Sequence, residues 1–520
     1  MNRRIPSFFS ALKSVFFYPA LNDFPFLLLV WAFFSFPEFM VQVMKGNYYY
    51  SILYLFLYFG VTYIFTLIVD LTKFTRKFLK PLCFLILSVF TLVNIYCLYK
   101  YRTRLSYNII EIIGGTNLDE AKEYLRMYVD FYEYLIIVIS FMITVGLFIL
   151  TLKLPARLKI NPIFVSLLLF CSIISFFINP TLKDEFVTWD FNFEDIADLT
   201  KYKTNPRLDI RDSLPEYVVV ILGESHAKSH SSLYGYEKNT NPLLQNRKDS
   251  NDLYVFKNVV SPAVNTSNSF KYILNSHRKD LGSAEKWYKS TNIIEVLNRA
   301  GFSTHWLSNQ ARQGLYNNLS SAPAKLCDDA TFIREFSNDL KYDGELLDLP
   351  RIENGNHAYF YHLMGQHFMF NERYPENFEK FRKEDYDNLN LDNDKKLLMA
   401  QYDNANLYND FVVNSIIEKF KDKDAVIFYF PDHGLDVYES DPDYCGHAII
   451  SEKSEKVGIQ IPFLVYLSSK YKSIRPELAE RINESVNKEF MTDKFIYSVM
   501  DASGIHFANN NEVEEYSLFR

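Results

Sequence analysis

Glu224, Asp432 and His433 together offer two carboxylates and an imidazole, a donor set that suits zinc or manganese. Each follows a continuous apolar run: Tyr217–Leu222 leads into Gly223-Glu224, and Ala425–Phe430 leads into Pro431-Asp432-His433-Gly434. Runs of this kind read as strands buried on both faces. In open α/β sheets, sites form outside the carboxyl ends of the strands, so two such strands would deliver these side chains to one sheet edge. Taken singly, each residue has an ordinary explanation, since a glutamate after a strand caps helices and Asp-His-Gly makes turns. Their joint arrangement argues for a metalloenzyme.

Such a site also needs a nucleophile. Val260-Ser-Pro-Ala-Val-Asn-Thr266-Ser-Asn-Ser269 supplies hydroxyls where a loop enters a helix. A threonine there gains twice, because helix amides stabilise negative charge and a bound dication would lower its hydroxyl pKa. Thr266, Ser267 and Ser269 also suit plain helix caps, and spacing alone leaves that open.

Positioning these groups takes a sheet. After Pro215 the chain alternates buried-strand and helical patterns over Tyr217–Leu222, Thr291–Ala300, His357–Met364, Leu398–Phe420, Ala425–Phe430 and Ile459–Leu467. That alternation predicts an α/β domain with a mostly parallel central sheet and helices on both faces. The first third is different. Pro25–Val43, Ser51–Leu71, Pro81–Leu98, Tyr132–Leu152 and Pro162–Asn179 are apolar stretches near the roughly 20 residues that span a bilayer. The expected organisation is a five-helix membrane domain over 1–180 with a loop at about 99–130, a linker over 181–214, and an exported catalytic domain over 215–520. In the linker, Trp189, Phe191 and Phe193 suit a lipid–water interface. Arg3, Arg4 and Lys13 precede the first span, while Lys73, Arg76, Lys77 and Lys80 fill the second loop and Lys153, Arg157 and Lys159 the fourth. This bias puts the start in the cytoplasm and everything after about Asn179 outside.

Composition narrows the classes. A net charge of −7 without basic runs argues against nucleic acid. Apart from Glu38, Asp70 and Glu133 near span ends, the spans lack the charges that mark a transport pathway. Cys83, Cys97 and Cys171 lie in spans, so Cys327 and Cys445 form one bridge or stay as two free thiols.

The residues around the candidate ligands resemble a known family. Gly223-Glu-Ser-His-Ala-Lys-Ser-His230 through Leu233-Tyr-Gly-Tyr236 and Asn239-Thr-Asn-Pro242 is similar to the signature of membrane phosphoethanolamine transferases, in the alkaline-phosphatase/sulfatase superfamily. Val260 to Thr266, Ser308-Asn309-Gln310, His362-Leu-Met-Gly-Gln-His367, Tyr402-Asp-Asn-Ala, Pro431-Asp-His-Gly434, Gly446-His447 and Gln460-Ile-Pro462 match in the same order, and five amino-terminal spans are that family's layout.

The resemblance implies an alkaline-phosphatase/sulfatase-like fold and zinc held by Glu224, Thr266, Asp432 and His433, with a second ion open and manganese less favoured. It implies that Thr266 takes phosphoethanolamine from phosphatidylethanolamine and passes it to lipopolysaccharide core, lipid A or another periplasmic glycan or protein. His367 and His447 would bind phosphoryl oxygens, Asn309 and Gln310 would line the substrate cleft, and Thr116, Asn117 and Glu120 of the third loop would hold the ethanolamine. The implied setting is the inner membrane, with the catalytic domain of a monomer in the periplasm.

Ala227 replaces an arginine common in the family, and the disulfide flanking the nucleophile in lipid A-modifying members is missing, which leaves the acceptor open. A lipoteichoic-acid-type synthase transferring glycerophosphate is the nearest rival. An inactive membrane-anchored scaffold is the other. A sulfatase proper is disfavoured, because Ser261-Pro262 lacks the modifiable Cys/Ser-x-Pro-x-Arg context.

Overall fold

The computed structural model describes the chain outside residues 1–14, 72, 102–103, 106–108, 110–120, 123–124, 126–128, 130, 154–159, 179–198, 285, 312–318, 335–339, 350–351, 448 and 450. Thr116, Asn117, Glu120, Trp189, Phe191 and Phe193 therefore lie outside the described residues. The chain divides into two compact units, Met1–Ile110 with Val129–Phe191, and Glu111–Tyr128 with Asn192–Arg520.

The first unit contains helices α1 (Phe24–Met44), α2 (Tyr48–Asp70), α3 (Lys73–Tyr101), α4 (Phe131–Lys153) and α5 (Pro162–Ile178). Among the described residues four helices are long and apolar enough to cross a membrane, and α5 is a shorter apolar helix of 17 residues. Helix α1 runs through Pro37 without ending. The basic cluster expected in the second loop is already helical, because α3 starts at Lys73. Three acids of this unit are paired: Glu133 with Lys100 at 2.8 Å, Glu38 with Arg104, and Asp23 with Lys80 at 2.5 Å. Pairing answers the cost of removing these charges from water.

The second unit is built on a seven-stranded sheet. Its strands are β1 (Tyr217–Gly223), β2 (Leu253–Phe256), β3 (Ser303–Ser308), β4 (Asp329–Phe332), β5 (His357–His362), β6 (Ala425–Pro431) and β7 (Phe463–Leu467), in the order β2-β7-β6-β1-β5-β3-β4. Strands β6, β1, β5, β3 and β4 are parallel neighbours, whereas β7 runs antiparallel to both β6 and β2. The sheet is therefore mixed at one side.

Alternation along each strand feeds two cores. Val218, Val220 and Leu222 of β1, with Val426, Phe428 and Phe430 of β6, join the cluster containing Ile293, Ile294, Val296 and Leu297 and Phe495, Ile496, Val499 and Met500. Tyr217, Val219 and Ile221, with Ala425, Ile427 and Tyr429, face Val412, Ile416 and Phe420 on the other side. Those last residues belong to α6 (Asn393–Phe420), whose first turn is capped by Asp392 accepting from the Lys395 amide. Each fully buried valine, isoleucine or phenylalanine is worth about 1.5–3 kcal/mol, so both faces fix the register of the central strands. Cys327 and Cys445 are free thiols.

Candidate active site

Register places the two acidic strand ends side by side. Gly223 of β1 stands opposite Pro431 of β6, and the Asp432 amide continues the ladder to the Gly223 carbonyl at 3.2 Å. The next residue of each strand, Glu224 or Asp432, thus emerges at the same carboxyl edge. Glu224, Asp432 and His433 are all buried, with potential ligand atoms lying within 4.8 Å of one another. Thr266 joins them: its Oγ1 lies 3.3 Å from Glu224 Oε2 and 3.3 Å from His433 Nε2.

Local structure explains how Thr266 gets there. Asn265 adopts extended backbone and its side chain accepts from the Asn268 amide, so Thr266 is the first residue of a single helical turn, Thr266–Ser269. Ser261 ties the approach loop to the other half of the site, donating to the Asp432 carbonyl at 2.5 Å.

The site's protons show what it lacks. Nδ1 of His433 lies 2.6 Å from the Gly434 carbonyl, which can only accept. Nδ1 therefore carries a proton, and Nε2 points at the carboxylates. Burial disfavours the imidazolium, but Asp432 and Glu224 outweigh it and lift the pKa to about 9. Burial and then the repulsion of Glu224 push Asp432 up to about 7. Burial also opposes ionisation of Glu224, yet His433 holds it well below the ordinary carboxylate range. Asp432 Oδ2 is buried without a hydrogen-bond partner among the described residues. Two carboxylates, one imidazole nitrogen and one hydroxyl, with an acceptor atom left over, fit a divalent cation of the zinc type.

Two histidines flank the cluster. The ring of His447 lies 5.0 Å from that of His433 and stacks on Phe368 at 5.2 Å. Burial and then His433 push His447 down to about 3, so it is neutral, and its Nδ1 meets no partner among the described residues. His367 interacts electrostatically with both Glu224 and His447. Asn309 is fully buried, its amide donating to Asp343 at 2.8 Å and the Lys341 carbonyl at 3.1 Å. Gln310 donates to the Leu363 carbonyl at 3.0 Å.

A family model described as Sulfatase matches residues 216–505. The chain belongs to the sulfatase family. Phosphoethanolamine transferase EptC of Escherichia coli (strain K12) is 26% identical over 478 residues, covering 79% of this chain and 77% of that relative. The integral membrane protein lipooligosaccharide phosphoethanolamine transferase A from Neisseria meningitidis shares the fold, with a TM-score of 0.61 over 98% of each chain at 17% identity. So does the C-terminal periplasmic domain of Escherichia coli EptC, solved in complex with Zn, at a TM-score of 0.53 and 24% identity over 61% of this chain and 89% of that one.

In this sulfatase-family domain several residues support Glu224 in roles that the sequence motifs containing them do not reveal. Ser225 stands at a φ of 55°, a left-handed conformation unusual for a non-glycine residue. Its hydroxyl donates to Glu224 Oε1 at 2.8 Å, and its carbonyl accepts from Tyr402 at 2.7 Å. Tyr402 also accepts from the Ala227 amide at 2.7 Å. One turn of α6 thus holds the strained corner after Glu224. The polar residues that follow on α6 continue the bracing: Asp403 pairs with His230 at 2.7 Å, and Asp410 accepts from the Leu243 and Leu244 amides. Tyr402 and Asp403 stand in the Tyr402-Asp-Asn-Ala segment that resembles the family's, but that they brace the corner after Glu224 is visible only in the fold.

Proposed function

We propose that the chain is a membrane-anchored phosphoethanolamine transferase. It takes the group from phosphatidylethanolamine and passes it to a cell-envelope acceptor, which is lipopolysaccharide core, lipid A or another periplasmic glycan or protein. The observation that carries this reading is Thr266 Oγ1 within 3.5 Å of both Glu224 and His433, at the start of a helical turn in a sulfatase-family domain. Similarity to a phosphoethanolamine transferase along 79% of the chain supports the choice of group transferred.

Glu224, Thr266, Asp432 and His433 would hold a zinc ion, which supplies a lowered hydroxyl pKa and positive charge beside the phosphoryl group. Thr266 Oγ attacks phosphorus. The new P–O bond forms as the bond to the glycerol oxygen breaks, and diacylglycerol leaves with one proton. Phosphoethanolamine stays ester-linked to Thr266 until an acceptor oxygen displaces it and the threonine hydroxyl is restored, which gives ping-pong kinetics. His367 and His447 bind the transferring oxygens, and one of them serves as general acid or base. Thr116, Asn117 and Glu120 hold the ethanolamine head group. The enzyme sits in the inner membrane with its catalytic domain in the periplasm.

Zinc-loaded, full-length enzyme should release diacylglycerol from phosphatidylethanolamine vesicles and not from phosphatidylglycerol vesicles, and a zinc chelator should stop the release. Release from phosphatidylglycerol alone would make the chain a glycerophosphate transferase. Release from neither lipid would point to a scaffold.

A further inference from the structure

Ser308, Asn309 and Gln310 are all buried, and their hydrogen bonds converge on one segment. Strand β3 ends at Ser308, directly opposite His362, the last residue of β5. Beyond that pair the two chains stay joined. The Asn309 amide donates to the His362 carbonyl at 3.0 Å, and Gln310 Nε2 donates to the Leu363 carbonyl at 3.0 Å. The Asn309 side chain reaches further and donates to Asp343 Oδ1 at 2.8 Å. Asp343 completes the set: Oδ1 accepts from the Met364 amide at 2.8 Å, and Oδ2 from the Gly365 amide at 2.9 Å. Every residue from His362 to Gly365 is therefore held by this group.

The segment being held matters to the site. It leads into His367, and the Gln366 amide donates to the Glu224 carbonyl at 3.0 Å, so it also lies along the backbone of a metal-ligand candidate. Three N–H donors converge on Asp343, two from backbone and one from Asn309. An ionised carboxylate accepts all three, whereas an asparagine would turn an NH₂ group towards at least one of them.

We propose that Asp343 and Asn309 are positioning residues that set the Leu363–His367 segment, so that His367 meets the phosphoryl group. In this reading Asn309, which the family resemblance put in the lining of the substrate cleft, acts through the segment instead, from a fully buried position. The role given to His367 rests on the function proposed above, while the clamp itself rests on the hydrogen bonds.

Two measurements on the full-length protein separate these layers. Hydrogen exchange in the peptide covering residues 363–367 should be markedly faster in Asp343→Asn than in the wild type. Diacylglycerol release should slow about 10–100-fold in Asp343→Asn, the usual scale for a partner that orients a site group. The double variant with His367→Ala should be no slower than His367→Ala alone, within about twofold, because both changes remove the same contribution. Asn309→Ala, which keeps the carboxylate, guards against misfolding and should show the same pattern at smaller size. Unchanged exchange in both variants overturns the clamp, and multiplying rate effects overturn its action through His367. A wild type that releases no diacylglycerol defeats the proposed function instead, and the exchange result still decides the clamp.

Discussion

Asp432→Asn is expected to abolish zinc-dependent stabilisation while leaving the metal-free protein at least as stable as the wild type. The two carboxylate oxygens have separate duties. Oδ1 accepts from the His433 amide at 2.8 Å and faces the Ser225 amide at 3.4 Å, and an asparagine oxygen can keep those contacts. Oδ2 has no hydrogen-bond partner among the described residues, and asparagine would put an NH₂ donor there, where a cation needs an acceptor. Without metal, burial and then the repulsion of Glu224 push Asp432 up to about 7. Removing one charge relieves that repulsion. Added zinc should raise the wild-type Tm by the linkage expected of a ligand that binds only the folded state, and should leave the variant's Tm where it was. Turnover should fall by at least about 10²-fold, the scale on which one transition-state charge partner acts. Equal zinc-induced shifts in both proteins would contradict this ligand assignment.

Gly365→Ala should cost about 3 kcal/mol or more and displace Glu224. Left-handed backbone costs a residue with a Cβ roughly 1–2 kcal/mol, and Gly365 has a φ of 51°. The clash is worse than the strain. A Cβ there would sit 2.8 Å from both the backbone nitrogen and the carbonyl oxygen of Glu224, and backbone in the middle of the site has little room to move. Gly235 provides the control, with a φ of 98° but nothing within 4 Å of an added Cβ. Gly235→Ala should carry the strain alone and keep full zinc stoichiometry, whereas Gly365→Ala should lose both Tm and zinc. Similar zinc content in the two variants would mean that the close approach to Glu224 does not matter.

What could be read from sequence follows from where each signal resides. Strands β1 and β6 are apolar on both faces, so their burial and their endings in Glu224 and Asp432-His433 are written in residue type. Strand β3 is not, because Ser303-Thr-His-Trp-Leu-Ser308 carries polar groups whose partners come from elsewhere: Thr304 donates to Asn298 at 2.7 Å, and its amide donates to Asp328 at 2.9 Å. The antiparallel direction of β7 has no compositional mark either. The basic cluster at Lys73–Lys80 reads as a loop by charge, although helix α3 already runs through it. Ser-Asn-Gln was visible as a motif, but which way its amides turn depends on Asp343, a residue in a short turn with no pattern around it. Single residues at strand ends are legible; the buried polar partners that orient them require the fold.

Peptide mass spectrometry of the full-length, zinc-loaded protein after exposure to phosphatidylethanolamine tests the central claim most directly. The account predicts a phosphoethanolamine adduct on the peptide carrying Thr266, with none formed in Thr266→Ala. An adduct that persists in that variant, or its absence from a wild type that releases diacylglycerol, would contradict Thr266 as the nucleophile.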